Sequence, residues 1–389
     1  MTSSPLDTRP LSIADLAEFG VDPVRGFLPA VDPAVSLPPE FAAWDELAKA
    51  LPGLLTERRF RATVADMPEL DPSPLTDPSL RERAMLLLCL FGNGYVWEGP
   101  EPALTIPARL ATPLCRIADT LGRPPIAAHA SLVLANWRTT KPGSFQPEDL
   151  RLLASFRDLE DEKWFFLITV AIEAVGARSI PAILAAQAAV AAGDAGTVAR
   201  ELETVASAIG DSTRMLLRMY ERCQPKVFFD EVRPWVTGWP EPGVIYDQVS
   251  SSPRRLIGGS AAQSPLIQAF DAALGVTHPS PASGPFLAEM RNYMAPGHRR
   301  FLERVERGPS IAAFSRATDD PATRAAYRLC CDELDQFRKA HLEMAGRYIT
   351  VQAKGDPTAK GTGGTEFGAF LGAARRETLD ARDRVDPPA

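Results

Sequence analysis

The sequence predicts a mainly all-α protein, with a large helical domain following a smaller, more irregular N-terminal one. Three observations carry that expectation. Beyond the turn residues Lys141-Pro142-Gly143 the chain is rich in Ala, Leu, Glu and Arg, and its apolar positions recur every three or four residues. No stretch alternates apolar and polar residues over a useful strand length. No internal repeat divides the 389 residues, which can bury a substantial core and by length read as two domains. The expected division is 1–150 and 151–389, with the boundary near 145–160.

Taken in order, residues 1–35 are rich in Pro and Asp and are expected to wrap a surface. Pro38-Pro39-Glu40 opens a helix with Phe41, Trp44, Leu47 and Leu51 on one face, and Pro52-Gly53 is expected to end it. The stretch 66–80, dense in Pro, Asp and Ser, reads as a loop, and a second helix covers 80–95. Pro- and Gly-rich connections follow through 99–125, then an apolar stretch at 127–137. Helical periodicity recurs at 147–158, 162–177, 179–193, 196–222, 225–236, 264–274, 284–293, 296–306, 320–350 and 365–378.

Bulk chemistry narrows the function. A net charge of −7 argues against nucleic acid and anionic membranes, because counterion release needs clustered Lys and Arg. The five cysteines (Cys89, Cys115, Cys223, Cys330, Cys331) include no CxxC and are too few for a disulfide framework, which fits a reducing cytoplasm. The N-terminus lacks the basic start and apolar run of a signal peptide. The apolar runs at 84–91 and 164–175 are too short to span a bilayer and read as core.

Most familiar enzyme signatures are missing. The four histidines, His129, His278, His298 and His341, show neither H-x-x-x-H nor HExxH spacing. Gly258-Gly259-Ser260-Ala261 lacks the spacing of a nucleophile elbow, and Lys360-Gly361-Thr362-Gly363-Gly364-Thr365 is not a phosphate-binding P-loop. His341 is the most informative histidine, lying on a stripe with Leu334, Phe337, Met344 and Tyr348 at helical steps. Spacing alone favours a hydrogen-bonded core residue over a ligand. Arg338, one turn earlier, shifts that balance, since a haem takes an axial imidazole, buries its macrocycle in apolar surface and needs cations for its propionates.

Three further segments mix apolar bulk with polar groups. Phe165, Thr169 and Glu173 share one helical face, and Arg233 follows Phe229 by one turn. Backbone N–H groups of the glycine loop 361–365 can meet an anion. Taken singly, core packing, a surface ion pair and a plain linker explain them better than a binding role does.

Together these segments resemble the indoleamine 2,3-dioxygenase family, in order and over most of the chain. The resemblance runs through Gly26-Phe27-Leu28-Pro29, Leu37-Pro38-Pro39-Glu40-Phe41, Gly94-Tyr95-Val96-Trp97 and Val133-Leu134-Ala135-Asn136-Trp137. It continues in Phe228-Phe229 with Arg233, Gly258 to Ser264, Met290-Arg291-Asn292-Tyr293-Met294 and His298-Arg299. It ends in Arg338, His341, Tyr348-Ile349 and the glycine loop. The resemblance implies one haem b per chain with His341 as axial ligand to the iron. Arg338 would face a propionate, steadied by Asp271. Phe165, Phe228, Phe229, Thr169, Ser260 and Ala261 would surround the opposite face, and Arg233 with Thr362 would receive the amino-acid end of tryptophan.

The implied reaction inserts both atoms of O2 into the indole of L-tryptophan or a relative, giving an N-formylkynurenine-type product. It needs a reductant to keep the iron ferrous and no strong general base, which suits Thr169 where the family commonly has Ser. The expected protein is a monomer. Two departures bear on the substrate: His129 stands where animal enzymes usually carry Tyr, and Leu132 where they often carry Cys. A related haem enzyme acting on another indole, and a haem or gas sensor without turnover, are the alternatives.

Overall fold

The computed structural model describes residues 8–354, 361, 364 and 366–385. It is 63% helical with only 4% strand, so the all-α expectation holds. The longer helices, in chain order, begin with α1 (Ala42–Thr56), α2 (Pro78–Trp97), α3 (Ala108–Leu121) and α4 (Glu160–Gly176). Next come α5 (Ser179–Ala192), α6 (Ala195–Leu217), α7 (Pro265–Leu274) and α8 (Gly284–Met290). The last are α9 (Pro296–Arg307), α10 (Ile311–Ala317), α11 (Pro321–Ala345) and α12 (Phe367–Asp383). Several starts are capped by short oxygen-bearing side chains: Asp77 accepts from Ser79 N and Leu80 N, Asp194 from Thr197 N, and Asp320 from Thr323 N.

The structure departs from the sequence-based elements most clearly as follows. The stretch 147–158 is not a helix: after a short 3-10 turn at Pro147–Asp149, β2 (Leu150–Leu152) pairs antiparallel with β1 (Trp137–Thr139). Side chains there satisfy the backbone in place of helical bonds, with Asn136 Oδ1 accepting from Leu153 N and Ala154 N, and Glu162 from Phe156 N and Arg157 N. The region 99–125 is more than a connection, because α3 occupies most of it and buries Leu110, Leu114 and Ile117 despite an internal Pro113. α1 runs through Pro52 to Thr56, held by the burial of Leu51 and Leu55 on either side of the proline. Finally, α10 stands where no helix is expected from the periodicity.

One helix organises the packing. Trp164, Ile168, Ala171 and Ile172 of α4 belong to a core built from α5, α6, α7, α9 and α11. Phe166, Leu167 and Val170 of the same helix belong to a second core with α1, α2, α3, Trp137, Trp235 and Tyr246. A helix wedged between two cores must be apolar nearly all round. That is why the run Glu160–Ala192 has the length and composition of a membrane span while 72% of its most apolar window is buried inside the fold. The N-terminal segment joins the first of these cores through Leu11, Leu16, Phe19 and Phe27.

His298 on α9 pins that segment, with Nε2 at 3.3 Å from Gly20 O and its ring 5.0 Å from that of Phe27. Burial holds its imidazole down at about 4. An unfolded histidine titrates near about 6.5, so between those pH values the unfolded chain takes up a proton that the folded chain refuses. Stability from this site is therefore complete above about pH 6.5 and is lost as pH falls towards 4, by of the order of 3 kcal/mol. Urea denaturation across that window should show the loss in wild type and a flatter profile in His298→Gln, which keeps a polar group but does not titrate.

Candidate active site

A largely apolar cavity lies where α4, α7, α11 and α12 meet the turn 130–134 and the loop 258–264. α11 contributes Phe337, Arg338, His341, Met344 and Ala345, continued by Tyr348 and Ile349 on the wider helical turn Gly346–Thr350. The stripe read from the sequence is thus real. Leu334 packs in the core below it, while the next members line the cavity. α12 closes the same side with Phe370, Leu371 and Ala374.

His341 makes no hydrogen bond among the described residues, and burial pulls its imidazole down to about 4, so at neutral pH it carries a free lone pair. Arg338 is buried one turn away. Its Nη2 donates to both carboxylate oxygens of Asp271 at 2.6 Å, and its Nη1 donates to Ala374 O at 3.4 Å and to Thr378 Oγ1. His278 completes this cluster, with Nε2 at 3.2 Å from Asp271 and Nδ1 at 2.6 Å from Glu377. Burial works to raise the Asp271 carboxyl, but Arg338 and His278 outweigh it and hold it below the ordinary range. The same two carboxylates outweigh burial at His278 and raise its pKa.

The opposite wall is aromatic and weakly polar. Phe165 and Phe228 meet with ring centroids 4.7 Å apart, and Phe228 packs against Tyr348 at 5.6 Å. Thr169 lines the cavity, but its hydroxyl donates to Phe165 O at 2.9 Å, so towards the cavity it can only accept. Ser260 and Ala261 line the wall at the start of a short 3-10 turn, with Ser260 Oγ accepting from Ala262 N. His129 and Leu132, singled out above for their bearing on the substrate, both border the cavity.

Not every expected residue reaches this wall. Phe229 and Arg233 pair with each other, the guanidinium 5.2 Å from the ring centroid, and neither lines the cavity. The wider turn Phe228–Val232 gives Phe228 to the cavity and carries its neighbour round to another face. Burial pulls the Arg233 guanidinium below its ordinary value. Thr362 lies outside the described residues, as does most of the glycine loop. Sequence reading missed Gln263 and Ser264, which fix the 258–264 loop: Gln263 Nε2 donates to Gly258 O, and Ser264 caps α7. The signals were present, as Ser260-Ala261-Ala262-Gln263 is a capping box and Ser264-Pro265 a helix start.

Few groups suit such a cavity. An uncommitted neutral imidazole, a cation one turn away and broad apolar walls fit a haem, which needs one axial nitrogen, cations near its edge and a dry bed. The class so defined is that of helical haem enzymes. Comparison with known proteins makes it particular. The model of the family described as indoleamine 2,3-dioxygenase matches residues 15–381. An indoleamine 2,3-dioxygenase of Aspergillus candidus is 36% identical, covering 94% of this chain and 96% of its own. Indoleamine 2,3-dioxygenase 2 of Mus musculus is 32% identical, at 94% and 95% coverage. A protein named myoglobin from Haliotis madaka is 31% identical, at 93% and 97%. The chain belongs to the indoleamine 2,3-dioxygenase family, and is accordingly an oxidoreductase that uses haem and O2.

The cluster behind His341 generates a test. Removing one partner of a buried ion pair costs about 3–5 kcal/mol, whereas replacing both by apolar groups is often neutral. Asp271→Leu should lose that much stability in chemical denaturation and release haem on gel filtration. The double variant Asp271→Leu/Arg338→Met should recover most of the stability. It should not recover haem retention, since the cation is gone.

Proposed function

We infer that the protein opens the indole ring of L-tryptophan or a close relative, inserting both atoms of O2 across the bond between indole carbons C2 and C3. The observation that carries this reading is the pairing in one cavity of an uncommitted His341 with a facing wall of Phe165 and Phe228. His341 would hold the haem iron and Arg338 a propionate. The bound haem supplies O2 binding and activation, chemistry that belongs to the cofactor.

The chain's own residues do the rest. Phe165 and Phe228 offer flat surface against which an indole can lie, and with Tyr348 and Ile349 they exclude water that would discharge activated oxygen. Thr169 offers an acceptor and no acid or base strength. None is needed, because both oxygen atoms stay in the product and the C2–C3 bond breaks without net proton or electron change. A reductant serves only to keep the iron ferrous. Arg233 is the cation that would meet the substrate carboxylate from beside the aromatic wall.

A second reading, O2 binding without turnover, is favoured by the relative named myoglobin. The two are separated by reducing the haem-loaded protein anaerobically, then adding L-tryptophan and O2 and following product absorbance. Steady formation of an N-formylkynurenine-type product supports the first reading, and an oxygenated spectrum that persists beside unchanged tryptophan supports the second.

Two variants test the assignments. His341→Ala should lose the haem Soret band and all turnover; a wild-type Soret band would remove His341 from its role. Loss of one partner of a desolvated charge pair costs roughly 2–5 kcal/mol. Arg233→Leu should thus lower tryptophan kcat/KM by tens to thousands, at about 1.4 kcal/mol per factor of ten. A carboxylate-free analogue should lose far less, and equal losses would contradict a carboxylate contact.

A further inference from the structure

Glu173 has no part in the reading above, yet it is a carboxylate only 1% exposed on the wall of the cavity. It follows Phe165 and Thr169 on the same face of α4. Its Oε1 lies 2.9 Å from His129 Nε2 and 2.5 Å from Ser264 Oγ. As cap of α7, the Ser264 oxygen already accepts from Ile267 N at 3.5 Å, so its single hydrogen is left for Glu173. The backbone of His129 is fixed as well, its N–H donating to Gln263 Oε1 at 2.9 Å. Ring and backbone are thus both anchored, and His129 is only 4% exposed. Among the described residues nothing bonds its other ring nitrogen, Nδ1.

With Glu173 ionised and His129 neutral, these contacts decide a tautomer. An ionised carboxylate can only accept, so a neutral imidazole beside it donates through Nε2–H. The remaining nitrogen, Nδ1, then carries a lone pair and cannot donate. His129 held in this way offers an acceptor alone.

We propose that Glu173 is a positioning residue that holds His129 as its Nε2–H tautomer. The Nδ1 lone pair on the cavity wall then selects indoles with an N–H or O–H donor on the ring edge that reaches it. This rests on the functional reading above and deepens it by naming the substrate class. The donor is either the indole N–H itself or a hydroxyl on the benzene ring.

Calorimetric titration of the haem-loaded full chain with three ligands tests it: L-tryptophan, its N1-methyl derivative and 5-hydroxytryptophan. A net hydrogen bond of ordinary strength is worth roughly three- to tenfold in affinity. Wild type should therefore prefer at least one donor-bearing ligand by that factor. Preference for tryptophan over the N1-methyl compound marks the ring N–H as the donor, and preference for 5-hydroxytryptophan over tryptophan marks the hydroxyl. Glu173→Gln, which keeps the shape but permits either tautomer, and His129→Phe should bring the preference close to one.

A second readout is independent of binding and turnover. In the ferrous carbon monoxide complex, 15N shifts of the His129 ring should show a protonated Nε2 and an unprotonated Nδ1, becoming mixed in Glu173→Gln. A preference that survives both variants, or affinities for all three ligands that fall equally, overturns the inference and leaves a structural tie. No binding of any of the three overturns the functional reading and this inference with it.

Discussion

The buried ion pair between Arg338 and Asp271 is the constraint on which the site depends. A guanidinium this deep is tolerated only with a counter-charge and with its hydrogens placed. Asp271 supplies the charge from α7, while Thr378 and the Ala374 carbonyl supply acceptors from α12. Three helices are thereby fixed relative to one another, and the rotation of α11 is set. His341 follows Arg338 by one turn, so that rotation puts its imidazole on the cavity. His278, between Asp271 and Glu377, extends the tie from α7 to α12. Glu377 also accepts from Ser280 N and Ser283 Oγ, which holds the loop leading into α8.

The facing wall rests on a different principle. α4 is buried on both sides because it serves two cores, so its few polar side chains can be accommodated only where the cores part. Thr169 and Glu173 lie there: the Thr169 hydroxyl bonds the backbone one turn back, and one carboxylate oxygen of Glu173, Oε1, meets both His129 and Ser264. The result is a cavity whose two faces have unequal chemistry. One offers a single uncommitted nitrogen in an apolar surface edged by the Arg338–Asp271 pair, the other aromatic rings edged by hydrogen-bond acceptors. A planar cofactor and a planar indole, stacked between them, suit that division.

Much of this was legible in the sequence where periodicity is strong. The stripe through Phe337, His341 and Met344 and the shared face of Phe165, Thr169 and Glu173 follow from helical spacing alone, and the structure places both on one cavity. What spacing does not carry is the partner across space. Asp271 opposite Arg338 came from family resemblance, and Glu173 opposite His129 is separated by 44 positions and has no local signature. Periodicity also erred where side chains compete for the backbone, as Asn136 and Glu162 do around 147–158. Prolines misled in both directions: Pro113 and Pro52 sit inside helices held by packing, whereas Pro147 opens only a short turn. The displacement of Phe229 and Arg233 from the wall stems from one wide turn, which no residue type announces.

On the proposed function, this cavity directs both atoms of one O2 molecule into one indole. Turnover of L-tryptophan by the reduced, haem-loaded protein under 18O2 in unlabelled water, with immediate mass analysis of the product, tests it most directly. A single product molecule should carry two 18O atoms, before any exchange or loss of the formyl group. Product carrying one 18O atom at the moment of formation, with the other appearing in water, would contradict it.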